Sequence, residues 1–158
     1  MKSATIHEIK QELLTAKPAE LVELCLRLGR FKKENKELLT YLLFEAHDET
    51  GYITGIKKEI DYEFAAVNTS HLYFAKKTLR KIARLINKYC RYSGSKQTEV
   101  ELRIYFCLQL KESGIPIERN PVISNLYNSQ LKKIHMLLEG LHEDLRYDYR
   151  RDMQVLEE

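Results

Sequence analysis

From Leu72 to Arg91, apolar and basic residues separate with the period of a helix. With Leu72 at zero and about 100° per residue, Leu72, Ala75, Leu79, Ile82, Ile86 and Tyr89 fall within roughly 260–360°. Lys76, Lys77, Arg80, Lys81, Arg84, Lys88 and Arg91 fall within roughly 40–180° on the same wheel. Stability requires the first sector to be buried, so the second points outward. Seven cations then share one face over about 22 Å.

This face belongs to a longer block of one sign. The chain has 158 residues, with 26 Lys and Arg against 23 Asp and Glu, a net charge of +3. Residues 1–63 hold 10 basic and 12 acidic groups, and residues 99–158 hold 8 and 11. Residues 64–98 hold 8 basic groups and no acidic ones. Such a block repels itself unless carboxylates of neighbouring helices or an outside partner answer it.

Apolar residues make up 44% of the chain, enough for one core, while 6 Gly and 3 Pro argue against a loop-rich sandwich or a disordered chain. The expected fold is all-α, about seven helices in an orthogonal bundle or a short α-superhelix. Residues 1–146 form the single domain and residues 147–158 a frayed tail. Thr5 with Glu8 forms a capping box for the first helix. Pro18 opens the second, and Gly29 is its expected cap. The third runs from near Lys33 to before Gly51. Gly51–Gly55 reads as a break, and a fourth helix covers about Ile56 to Val67. The fifth, from about His71 to Tyr92, ends at Ser93-Gly94-Ser95. Thr98 with Glu101 is expected to cap a sixth, whose Val100–Leu110 stretch is apolar nearly all round and so belongs at the buried centre. Asn120-Pro121 opens the last long helix, with its stripe on Leu131, Ile134, Leu138, Leu141 and Leu145.

The N-terminus lacks the apolar core of a signal peptide, and no run reaches the roughly 18–20 apolar residues of a membrane span. Cys25, Cys90 and Cys107 are an odd, widely spaced set, which disfavours a disulfide framework and a cysteine zinc site. Buried thiols in a reducing cytoplasm are expected. Cys90 has Lys88 and Arg91 beside it, which would favour its thiolate, but inert packing is the plainer expectation.

His135, Glu139 and His142 stand at i, i+4 and i+7 and would lie within about 60° of one another on a continuous helix. They are the weak metal candidates, set against ordinary surface polarity because no fourth ligand is in view. His7-Glu8 and His142-Glu143 fail as H-E-x-x-H motifs, since Gln11 and Arg146 stand at the final position. His47-Asp48 has no nucleophile motif to serve. The segment from Lys88 to Lys96 mixes cations, aromatics and hydroxyls before a helix N-terminus. There Arg91, Lys96, Ser93 and Ser95 could meet one phosphate, or form an ordinary turn. The P-loop spacing is missing.

Leu26-Arg27-Leu28-Gly29-Arg30-Phe31-Lys32-Lys33-Glu34-Asn35-Lys36-Glu37-Leu38-Leu39, and later Tyr92-Ser93-Gly94 with Thr98-Glu99-Val100-Glu101-Leu102, resemble a small uncharacterised all-helical bacterial protein family over most of the chain. The resemblance implies no activity, cofactor or functional residue. The helical series is also similar in architecture to HEAT-like DNA-alkylation-repair proteins, an analogy of fold without a shared motif.

The expected function is a non-enzymatic, cytoplasmic interaction module without cofactor. It takes an acidic protein surface or a phosphate-bearing partner on Lys77, Arg80, Lys81, Arg84, Lys88 and Arg91, with Tyr92 and Lys96 at one end. Non-specific binding of nucleic-acid phosphates by the same face is the first alternative. An enzyme whose site only the fold assembles is the second. Homo-oligomerisation stays open.

Overall fold

Caps and small residues fix most helix ends, and nine α-helices and a π turn result. The computed structural model describes residues 1–158. The chain is all-helical, without a strand, and no helix is long and apolar enough to cross a membrane. It divides into two compact units, Met1–Phe44 and Glu45–Glu158, where one domain was expected.

The first unit holds α1 (Ile6–Thr15), α2 (Pro18–Phe31) and α3 (Lys33–Thr40), and the π turn Tyr41–Glu45 begins at its end. The Thr5–Glu8 capping box forms as read: the Glu8 amide donates to Thr5 Oγ1 at 3.2 Å and the Thr5 amide to the Glu8 carboxylate at 2.7 Å. Gly29 does not end α2. A Cβ there would lie 3.1 Å from Leu39 Cδ1, so its lack of a side chain lets α3 approach α2. The Asn35 side-chain amide donates to the Leu28 carbonyl at 2.8 Å across the same junction. The expected third helix is shorter than read, because α3 gives way to the π turn after Thr40. Cys25, expected in the core, is exposed.

The second unit holds α4 (Glu49–Ala65), α5 (Leu72–Ser93), α6 (Lys96–Glu112), α7 (Pro121–Glu139), α8 (Glu143–Asp148) and α9 (Arg150–Glu157). The expected break at 51–55 is helical. Asp48 caps α4 by accepting from the Gly51 amide at 2.9 Å, and Tyr52 and Ile56 are buried one turn apart. Gly94 ends α5 in the left-handed region at φ 67°, which glycine adopts without the Cβ clash. The cap of α6 is Ser95 rather than Thr98: Ser95 Oγ accepts from the Thr98 amide at 3.2 Å.

The sixth helix is the centre of this unit, touching α4, α5, α7 and α9. Val100, Leu102, Phe106, Cys107 and Leu110 are sealed from solvent, as its all-round apolar pattern required. Asn120 caps α7, accepting from the Val122 amide at 3.1 Å. The expected frayed tail is instead α9, with Met153 and Leu156 buried. The Lys111 ammonium donates to the Val155 carbonyl at 2.6 Å, and the Tyr127 hydroxyl to the Leu156 carbonyl at 2.7 Å. These contacts hold the final turns against the core.

Candidate functional site: the cationic face of the fifth helix

The fifth helix buries Ala75, Leu79, Ile82, Ala83, Ile86 and Cys90. Those positions lie within about 100° on the wheel, so the opposite sector is left to solvent. Lys77, Arg80, Lys81, Arg84 and Arg91 are exposed, as is Lys96 at the start of α6, while Lys88 and Tyr92 are half-buried.

Three carboxylates of the adjacent α4 each have a partner. Glu63 accepts from Lys81 Nζ at 2.6 Å. Glu59 accepts from the Tyr89 hydroxyl at 2.8 Å, and Asp61 from the Tyr105 hydroxyl at 2.5 Å. Of the stripe residues, Lys81 is thus answered from within the unit. Lys76, Lys77, Arg80, Arg84, Arg91 and Lys96 form no ion pair. The C-terminal acids do not reach them: Asp144 pairs with His142 at 3.3 Å and Glu157 with His135 at 2.9 Å.

Two shallow hollows divide these cations. Tyr73, Lys76, Lys77, Arg80 and Arg84 line one of about 220 Å³. Arg84 Nε donates to the Arg80 carbonyl at 3.2 Å, which folds that guanidinium back along the helix and holds its plane. Four cations and a phenol around one hollow, with no carboxylate in its lining, favour an anionic occupant. Tyr73 was missed by the sequence reading, although it sits at about 100° on the wheel, in the middle of the cationic sector.

The second hollow, of about 360 Å³, is lined by Asn87, Cys90, Arg91, Gly94, Lys96, Glu99 and Arg103. It unites Arg91 and Lys96 but not the two serines expected with them. Ser93 Oγ donates to the Glu49 carboxylate, which also accepts from the Thr98 hydroxyl at 2.6 Å, and Ser95 is the α6 cap. Arg103 is 3% exposed and was not read from the sequence. Its guanidinium donates to Glu99 at 2.9 Å, Gln130 at 2.6 Å and Asn87 at 2.8 Å. Lys88 lies over the Tyr89 ring, 4.7 Å from its centroid, and the Tyr92 ring meets Tyr89 edge-on at 6.1 Å.

The metal candidates do not assemble. The last turn of α7 stops at Glu139, Gly140 caps it, and His142 belongs to the cap of α8. His135, Glu139 and His142 therefore share no continuous helical face, and no group of three His, Cys, Asp or Glu is placed to hold a metal ion. Burial pushes the Cys90 thiol up to about 12 despite the Arg103 guanidinium, which acts in the opposite sense. A thiol raised in this way stays protonated near neutral pH, against the activated thiolate that its basic neighbours suggested. No family model matches the chain, and no curated protein or solved structure does.

Proposed function

We propose that the chain is a non-enzymatic, cytoplasmic interaction module that takes an acidic protein segment or a phosphate-bearing partner along α5. The observation that carries this is the hollow of Tyr73, Lys76, Lys77, Arg80 and Arg84, whose cations have no ion partner in the chain. A partner's anions would relieve the repulsion among these cations and speed encounter. The Lys81–Glu63 pair bounds the face on the α4 side, so Lys81 serves it less than the sequence alone suggests. Under the same proposal the second unit is an orthogonal bundle, and the chain a member of the bacterial helical family it resembles.

The test is fluorescence anisotropy with a labelled Glu-rich peptide and a doubly phosphorylated peptide, at low and at physiological salt. At least one probe binds the wild type, and Lys77→Glu with Arg84→Glu weakens it more than about tenfold without changing the circular dichroism. Reversal of Lys132 and Lys133 on α7 leaves binding unchanged. No binding of either probe at low salt, or binding indifferent to the α5 reversals, overturns the proposal.

Tyr73 favours a second reading, the non-specific nucleic-acid binder. It is 71% exposed beside four cations, the combination that stacks bases and tracks phosphates in single strands. In that case Tyr73→Ala weakens a labelled single-stranded oligonucleotide about tenfold and leaves the peptide probes unaffected. No gel shift at low salt disposes of this reading.

A further inference from the structure

The first unit leaves most of its large apolar side chains exposed, with Tyr41 its one buried residue. No side chain of α1, α2 or α3 is buried, and twelve large apolar side chains from Ile6 to Phe44 are exposed, Ile6 at 82% and Phe44 at 68%. A 44-residue unit is near the size at which a chain needs help to bury a core.

Two features of this surface complement each other. Along α1, Ile6, Ile9 and Leu13 are exposed on one face of the helix, and the acids Glu8 and Glu12 on the same helix are exposed as well. Between α2 and α3 a hollow of about 630 Å³ is lined by Leu26, Leu39, Leu43 and Phe44 together with basic residues. Among the latter, Arg30, Lys32 and Lys36 have no carboxylate partner in the chain. One element is apolar with acids beside it, the other apolar with cations beside it, and one chain carries both.

We propose that the first unit is a self-association module: α1 of one copy seats in the α2/α3 groove of a second copy, and reciprocally. Exchange of the same two surfaces closes a two-fold dimer and leaves no open end for a fibre. Glu12 would face Lys36 and Arg30 across the seam, with Ile6, Ile9 and Leu13 against Leu43 and Phe44. The second copy is favoured over a foreign partner because both halves of the contact are present on every molecule.

Sedimentation velocity of the full chain tests this. The wild type sediments as a dimer, at twice the chain mass of 18.7 kDa, and dissociates on dilution. Glu12→Lys and Lys36→Glu each weaken the dimer about tenfold, and the two together restore most of the loss. Leu43→Glu, a change at an exposed position, gives monomer with unchanged helicity. The α5 double reversal leaves the dimer intact, which separates this outcome from the fate of the proposed function. A monomer at every concentration overturns the proposal, as does a dimer that survives Leu43→Glu or a charge pair that fails to rescue.

Discussion

Arg103 is the one charged side chain buried in the core. Its guanidinium is buried and spends its donors on Glu99, Gln130 and Asn87. Arg103→Ala strands the buried Gln130 amide and leaves Glu99 without its ion partner, so it should cost about 3 kcal/mol or more. Arg103→Lys keeps the charge but cannot span three acceptors, and should cost about 1–2 kcal/mol. Urea midpoints at constant m-value check both. This role was not legible in Val100–Leu110, because one arginine in an apolar run looks the same whether it snorkels outward or is met by an amide 27 positions away. Burial also sets an alkaline limit. The thiols of Cys90 and Cys107 are pushed from 9.0 up to about 12, and the hydroxyls of Tyr105 and Tyr127 from 10.0 up to about 12, in each case chiefly by desolvation. The native state keeps these protons after the unfolded chain has begun to release them. Stability is therefore full below pH 9 and falls as pH rises from about 9 to about 12. Melting temperatures across that window should decline, and a Cys90→Ala, Cys107→Ala double variant should soften the onset. A thiol reagent should reach exposed Cys25 in the native protein and the other two cysteines only on unfolding.

Helix boundaries depend on which glycines bend the chain and which only save space. At Gly94 φ is 67° and the backbone turns from α5 to α6, whereas Gly55 lies inside α4 with no positive φ and open space where a Cβ would lie. Gly94→Ala should therefore cost about 1 kcal/mol, and Gly55→Ala should stabilise by about 0.5–1 kcal/mol. Opposite shifts in denaturant midpoint would confirm the distinction, and a stabilising Gly94→Ala would refute it. The sequence could not tell these glycines apart, because composition registers a small residue and not its φ. Gly51 shows a third use. A Cβ there would come within 2.2 Å of the Asp48 carboxylate that caps α4, so what reads as a break is part of the helix start. Where periodicity was long and one-sided, as over Leu72–Ser93, the element and its buried face were legible. Where helix gives way to a π turn without a glycine or proline, as at Tyr41–Glu45, they were not.

The distribution of charge over the whole molecule was legible as a block, but its neutralisation was not, because that depends on neighbours distant in sequence. Glu59, Asp61 and Glu63 lie on the helix beside α5, yet two of them take tyrosine hydroxyls and only Glu63 takes a stripe cation. The division at Phe44 also left no mark in the sequence, since no Gly- or Pro-rich linker accompanies it. The C-terminal residues were misread for a related reason: a short polar helix with two apolar side chains looks frayed until the surface that receives it is known. Met153 and Leu156 are buried, and the Val155 and Leu156 carbonyls accept from Lys111 and Tyr127. Ending the chain at Tyr149 would uncover both pockets and strand the Tyr127 hydroxyl, itself buried. At about 1.5–3 kcal/mol per large side chain, truncation should cost roughly 3–6 kcal/mol, a large share of the 5–15 kcal/mol typical of a domain. A fraying segment would cost almost nothing. A melting temperature within a degree or two of the full chain would mean that α9 is not part of the core, whereas a loss of ten degrees or more, with Met153→Ala and Leu156→Ala each giving a fraction of it, would assign the stabilisation to those two side chains.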